Sequence, residues 1–131
     1  MIMKKLIFIF VVLMLSIVGC SQKDVVDFDN NSKLTVEERV GDTNDYEIIK
    51  VIEDEETVQK IIDIFKGVKW DTNTDREMAT EPEFRLNSYD IWVTPNGDRL
   101  EIMNRNNSYY VSLSVEDSET LYEIMTGKEL R

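Results

Sequence analysis

The chemistry open to this chain is narrowed first by the side chains it does without. Its 131 residues include no histidine and one cysteine, Cys20. Disulfides, Cys/His zinc sites, Cys–His nucleophile pairs and the imidazole base are removed together. Carboxylates, hydroxyls, lysine and arginine remain. With 26 acidic residues, carboxylate pairs occur everywhere, and no pair singles itself out for acid–base work. One acidic run does have a meaningful spacing. Asp71, Asn73, Asp75 and Glu77 alternate like the opening of a calcium loop, where oxygens at i, i+2 and i+4 converge on a hard cation. However, Arg76 stands where the sharp turn of an EF-hand needs glycine, and the twelfth position is Pro82 rather than glutamate. The expectation is a solvated acidic loop with no cofactor, and a bound calcium ion is the alternative.

Cys20 is the chemically distinctive residue. Residues 1–5 carry Lys4 and Lys5, and residues 6–18 (LIFIFVVLMLSIV) form a 13-residue apolar run with Ser16 its one polar member. A comfortable membrane span needs about 20 residues, so the run suits a cleaved leader better than a transmembrane helix. It ends in Ile17-Val18-Gly19-Cys20. Small residues before a cysteine at this place are what a lipoprotein signal peptidase requires, so the segment resembles a lipobox. A diacylglyceryl group on Cys20 would supply two acyl chains, at about 0.8 kcal/mol per buried CH₂, where one chain anchors only marginally. Ser21 follows, and an aspartate-type retention signal is therefore lacking. The expected organisation is a signal peptide over 1–19, a lipidated N-terminus and tether over 20–32, and one domain over 33–131. The membrane, reached through that lipid, is the first expected partner. The Ile/Lys/Asn/Asp/Glu-rich composition fits a low-GC Gram-positive cell, in which the domain would face outward from the cytoplasmic membrane.

The formal net charge is −11 and grows more negative once Lys4 and Lys5 are removed. Such a domain is repelled by phosphate backbones and anionic headgroups, so nucleic acid is not expected as a partner. The mature chain, about 110 residues, is large enough for one modest core.

The elements follow from periodicity. Residues 33–40 and 46–53 read as strands, the second rich in β-branched residues. Asp54 is a candidate N-cap for a helix whose Val58, Ile61, Ile62 and Phe65 fall at i, i+3, i+4 and i+7, with Gly67 after its last turn. Residues 68–70 suggest a further short strand, and residues 71–83 show no period. Asn96-Gly97 is a hairpin signal for a two-residue type I′ turn. It pairs Val93 with Leu100, Ile91 with Ile102 and Tyr89 with Asn104. A second turn at Asn106-Asn107 pairs Ile102 with Val111 and Leu100 with Leu113. Both turns place the same apolar residues on one face, which a slip of one residue would undo. Ser114 then caps a second helix carrying Leu121, Ile124 and Met125, closed by Gly127. The expected fold is α+β: an antiparallel sheet of about five to six strands with two helices on one face. Val25, Val26 and Phe28 are the apolar exception in the polar tether, and local packing against the domain is expected of them.

The same register places Trp92, Met103 and Tyr110 on the opposite face of the sheet. Aromatic and methionine side chains among charged neighbours make a candidate protein-binding patch. The competing expectation is that the tether or the 71–83 loop covers it.

The lipobox, the acid-started helix over 54–67, the YDIWV strand, the YYVSLS strand and the closing LYEIMTGKEL together resemble small Bacillus-type lipoproteins of the YhfM-like kind. The resemblance spans most of the mature chain. It implies the anchor and the α+β fold, and carries no catalytic or binding residue with it. The functional expectation is a non-enzymatic interaction module on the outer face of the cell membrane, binding an envelope protein or wall component. Binding of a small ligand or cation is the alternative.

Overall fold

The computed structural model describes residues 26–29, 31–73 and 75–130. The expected leader, Cys20 and Val25 lie outside them. The elements run β1 (Leu34–Arg39), β2 (Tyr46–Ile52), α1 (Glu55–Lys66), β3 (Phe84–Leu86), β4 (Tyr89–Val93), β5 (Leu100–Asn104), β6 (Tyr110–Ser112) and α2 (Val115–Thr126). The six strands form one sheet in the order β2-β1-β3-β4-β5-β6, and every neighbouring pair is antiparallel. The fold is α+β, with a single core between one face of the sheet and the two helices.

Both helices begin on side-chain caps. Asp54 accepts the backbone N–H of Thr57 at the start of α1, and Ser114 accepts that of Asp117 at the start of α2. Each cap satisfies one of the donors a first helical turn leaves free. Gly127 closes α2 with φ of 73°, a left-handed conformation that costs glycine little. Gly67 closes α1 differently. Its φ is −80°, and a Cβ there would sit 3.0 Å from the Asp63 carbonyl oxygen, so close backbone approach favours glycine. Val58, Ile61, Ile62 and Phe65 of α1 and Leu121 and Met125 of α2 are buried against Leu34, Val36, Leu86, Ile91 and Ile102 of the sheet. Ser118, also buried, accepts the Leu100 N–H at 2.9 Å and ties α2 to the start of β5.

The meander pairs as its sequence requires: Val93 with Leu100, Ile91 with Ile102, Tyr89 with Asn104, and Ile102 with Val111. The first turn differs in form. Gly97 N–H donates to Thr94 C=O, and Gly97, not Asn96, has positive φ. Residues 95–98 therefore make a four-residue connection opened by Pro95, whose fixed φ suits the second position of an ordinary β-turn. Lengthening the loop by one residue on each side keeps its centre, so the register survives.

Two further expectations are corrected. Residues 68–70 form no strand; the pairing begins and ends with one bridge, Asp71 to Tyr110, and Trp70 turns into the core with Nε1–H on the Phe65 carbonyl. The domain also starts earlier than residue 33. Val26 and Phe28 are buried, and the Phe28 ring lies 5.5 Å from Phe65 and 5.7 Å edge-on to Tyr89. Between them, the Asp27 carboxylate accepts hydrogen bonds from Ser88, Asn104 and Asn106, and its N–H donates to the Tyr89 hydroxyl.

Candidate interaction surface

The outer face of the sheet holds the aromatic patch read from the sequence, and the chain's own loop covers it. Trp92 is only 6% exposed, and its indole N–H donates to the Thr80 carbonyl at 2.8 Å. Tyr110 exchanges both backbone hydrogen bonds with Asp71, and Arg76 lays its guanidinium 3.9 Å over the Tyr110 ring. That stacking is a cation–π contact. Met103, which pairs with Tyr110, is half-buried. The 71–83 loop is fastened at its far end too: the Tyr46 hydroxyl donates to Pro82 C=O, and the Glu83 carboxylate accepts the Val93 N–H. Trp92 and Tyr110 therefore belong to the seam between sheet and loop, with Met103 beside Tyr110, and of the two expectations for the patch it is coverage by the 71–83 loop that is seen.

Burial sets the acidity of these phenols. Desolvation, reinforced by the adjoining Glu101 carboxylate, pushes Tyr110 up to about 12. Burial likewise pushes Tyr89 up to about 12 and raises Tyr46.

The acidic run inside the loop is occupied by its own backbone. Asp71 accepts the Asn73 N–H and pairs with Arg76 at 3.1 Å, while Asn73 accepts the Asp75 N–H. Those bonds hold the Asp71 carboxyl below the ordinary aspartate value. Asp71, Asn73, Asp75 and Glu77 are all exposed. Among the described residues no three acidic side chains come together to hold a metal. Two of the four candidate donors, Asp71 and Asn73, are thus engaged in Asx turns, and Asp71 also in the pair with Arg76.

The unclaimed surface lies at the other end of the same face. β2 is an edge strand, paired only with β1 among the described residues. The exposed large apolar side chains of the described residues all gather here: Val40 at 42%, Ile48 at 62%, Ile49 at 37% and Val51 at 44%. A bulge explains why both sides of the strand show apolar groups. Val36 faces Lys50 and Glu37 faces Ile48, so Ile49 is the extra residue. Ile48 and Val51 share the outer side with their partners Glu37 and Thr35. Ile49 turns instead toward a groove of 320 Å³ beside α2, whose floor includes Phe84, Tyr122 and Met125. Lys50 spans that groove and donates to the Ile124 carbonyl near the C-terminus of α2, where a cation meets the negative end of the helix dipole.

The opposite edge is finished differently. β6 has three residues, and Asp71 bridges its first. Sequence reading identified β2 as a strand rich in β-branched residues but not as an edge, because Ile48, Ile49, Val51 and Ile52, broken only by Lys50, show no clean alternation to mark a solvent-facing side. The usable signal was charge. Seven carboxylates lie between Asp42 and Glu56 against one lysine, Lys50, an unfavourable setting for a central strand.

Comparison with protein-family models, curated proteins and solved structures gives no match in any of the three.

Proposed function

We propose that the chain is a lipid-anchored, non-enzymatic binding module on the outer face of the cell membrane. Cys20 carries the lipid, and the β2 edge meets another envelope protein or a wall component. The anchor rests on the order of basic start, apolar run, glycine and cysteine at the N-terminus. One observation carries the binding role: among the described residues, the exposed large apolar side chains cluster on and beside β2, an edge strand paired on one side only. Scattered surface apolar residues are ordinary, but an exposed apolar edge strand is a liability unless something covers it.

The full chain, expressed in a low-GC Gram-positive host, tests both halves. A clickable fatty acid should label the wild type and leave Cys20→Ala unlabelled. A photo-crosslinking residue at position 48 or 51 should give a discrete adduct, and one at the exposed Ser112 of β6 should give none. Absence of label on the wild type removes the anchor. Equal adducts from 48 and 112 remove the β2 surface.

A further inference from the structure

The free edge of β2 has a definite chemistry, and it narrows what can lie against it. Main-chain N–H and C=O groups along an edge strand are a template for one more strand, with pockets for alternate side chains giving selectivity. Here the side chains on offer are Ile48 and Val51 on the outer side and Ile49 on the inner side. The incoming strand must therefore bring apolar groups to the outer side, while its alternate residues go to the inner side.

Charge decides what accompanies them. The segment from Asp42 to Glu56 carries seven carboxylates and one lysine. That lysine, Lys50, is held by the Ile124 carbonyl, and Lys33 on the neighbouring strand is paired with Glu53 at 3.8 Å. Arg39, opposite Tyr46, is left to offset the remainder. A second copy would bring an equally acidic edge alongside, within the distance where like charges repel. A two-fold antiparallel pairing that keeps Ile48 against Val51 also sets Glu47 against Ile52. The bulge adds twist and further spoils flat stacking of identical edges.

We propose that β2 receives an extended basic segment of another protein, in which lysine or arginine alternates with valine-like residues, as a seventh strand of the sheet. This rests on the binding-module reading and adds the class of partner to it. Apolar side chains of the segment would cover Ile48 and Val51 on the outer side, and its cations would project to the inner side, toward Glu47 and its partner Glu38. Electrostatic steering toward the acidic edge would speed encounter and make it sensitive to salt.

The test uses the full chain in detergent, with backbone amide exchange read across residues 46–52. The probe is an eight-residue peptide alternating valine and lysine, and the control alternates valine and glutamate. The lysine peptide should slow β2 exchange by about ten-fold or more at low salt. The effect should fade at high salt, and the glutamate peptide should leave exchange unchanged. The double variant Ile48→Lys, Val51→Lys alters two exposed side chains only, and should no longer respond. Equal slowing by both peptides, no slowing by the lysine peptide, or slowing outside β2 overturns the proposal. Exchange that is already slow before any peptide is added also overturns it, in favour of a second copy when the sedimenting mass is doubled. If the position-48 adduct persists in cells while the lysine peptide fails, only the strand chemistry falls. If both fail, the binding-module reading falls with it.

Discussion

At one end of the outer sheet face, Trp92 and Tyr110 lie under a loop of their own chain; at the other, Ile48 and Val51 face water on the outermost strand. Both ends bear large apolar groups, yet only one is completed from within. The covered end is held by directed bonds: Trp92 to Thr80, Tyr46 to Pro82, Val93 to Glu83, and the Asp71–Tyr110 bridge. These use the loop's backbone as much as its side chains, so a segment with no periodicity can still be specific. The β2 end has a bulge, a groove and an acid-rich sequence instead. The difference teaches that exposure of large apolar side chains is local among the described residues, confined to β2 and the nearby Val40.

The comparison breaks most visibly at Trp92. Trp92→Ala removes a nearly buried indole and strands the Thr80 carbonyl, and the expected loss is about 3–5 kcal/mol in urea unfolding. A loss below about 1 kcal/mol would show that the loop does not cover that face in solution.

Asp27→Ala comes next. It deprives the buried Asn104 of an acceptor and unfastens the segment holding Val26 and Phe28. Because Asp27 itself faces water, the expected cost is about 1–2 kcal/mol. Amide exchange should rise in the described residues 26–29 before it rises in the sheet.

Alkaline titration separates the covered phenols from the rest. Of five tyrosines, Tyr89 and Tyr110 should ionise last, near 12, followed by absorbance at 295 nm. Their folded values lie above the unfolded value of 10, so their contribution to stability is complete below pH 10. It is lost as pH rises from 10 toward 12. If all five ionise together while the protein remains folded, the seam is open.

Acid acts on the same seam from the other side. The Asn73 N–H, then Arg76, hold Asp71 below its ordinary value. That contribution is present above the unfolded value of 3.8 and is lost as pH falls through the lower, folded one. The Tyr110 ring resonances should therefore shift as acid frees Arg76. Asp71→Asn, which keeps the acceptor for Asn73 but not the charge, should abolish that pH dependence while leaving the backbone bridge intact.

The two ends were unequally legible in the sequence. In the meander, two turns with a shared apolar face over-determine the register, and even a misjudged turn form at Pro95-Asn96-Gly97-Asp98 leaves Val93 opposite Leu100. The helices were legible for the same reason: a capping side chain and an apolar stripe agree at each. Coverage of Trp92 was not legible, because its partner is a main-chain carbonyl, which every residue possesses. Nor was the role of Ser118, a small polar residue on an apolar stripe whose acceptor meets Leu100 from another element. The edge position of β2 was not legible either, since a bulge puts neighbouring apolar residues on both faces and hides the alternation of an edge strand. The lipobox was read from local order alone, and Cys20 lies outside the described residues.

The smallest expected effect is the sharpest discriminator. Ile48→Lys and Val51→Lys should each change stability by no more than about 0.5 kcal/mol, because a side chain 62% or 44% exposed has little packing to lose. The same substitutions should abolish the adduct formed from β2 in cells. Fully burying an aliphatic side chain of this size contributes about 1.5–3 kcal/mol, with less to gain at the half-covered Val51. Two such groups under a seventh strand are thus worth more to a complex than to the free fold. That inverts the position of Trp92, whose apolar surface is already spent within the chain. A stability loss above about 2 kcal/mol for Ile48→Lys would mean that β2 is packed before any partner arrives, and the contrast between the two ends would disappear.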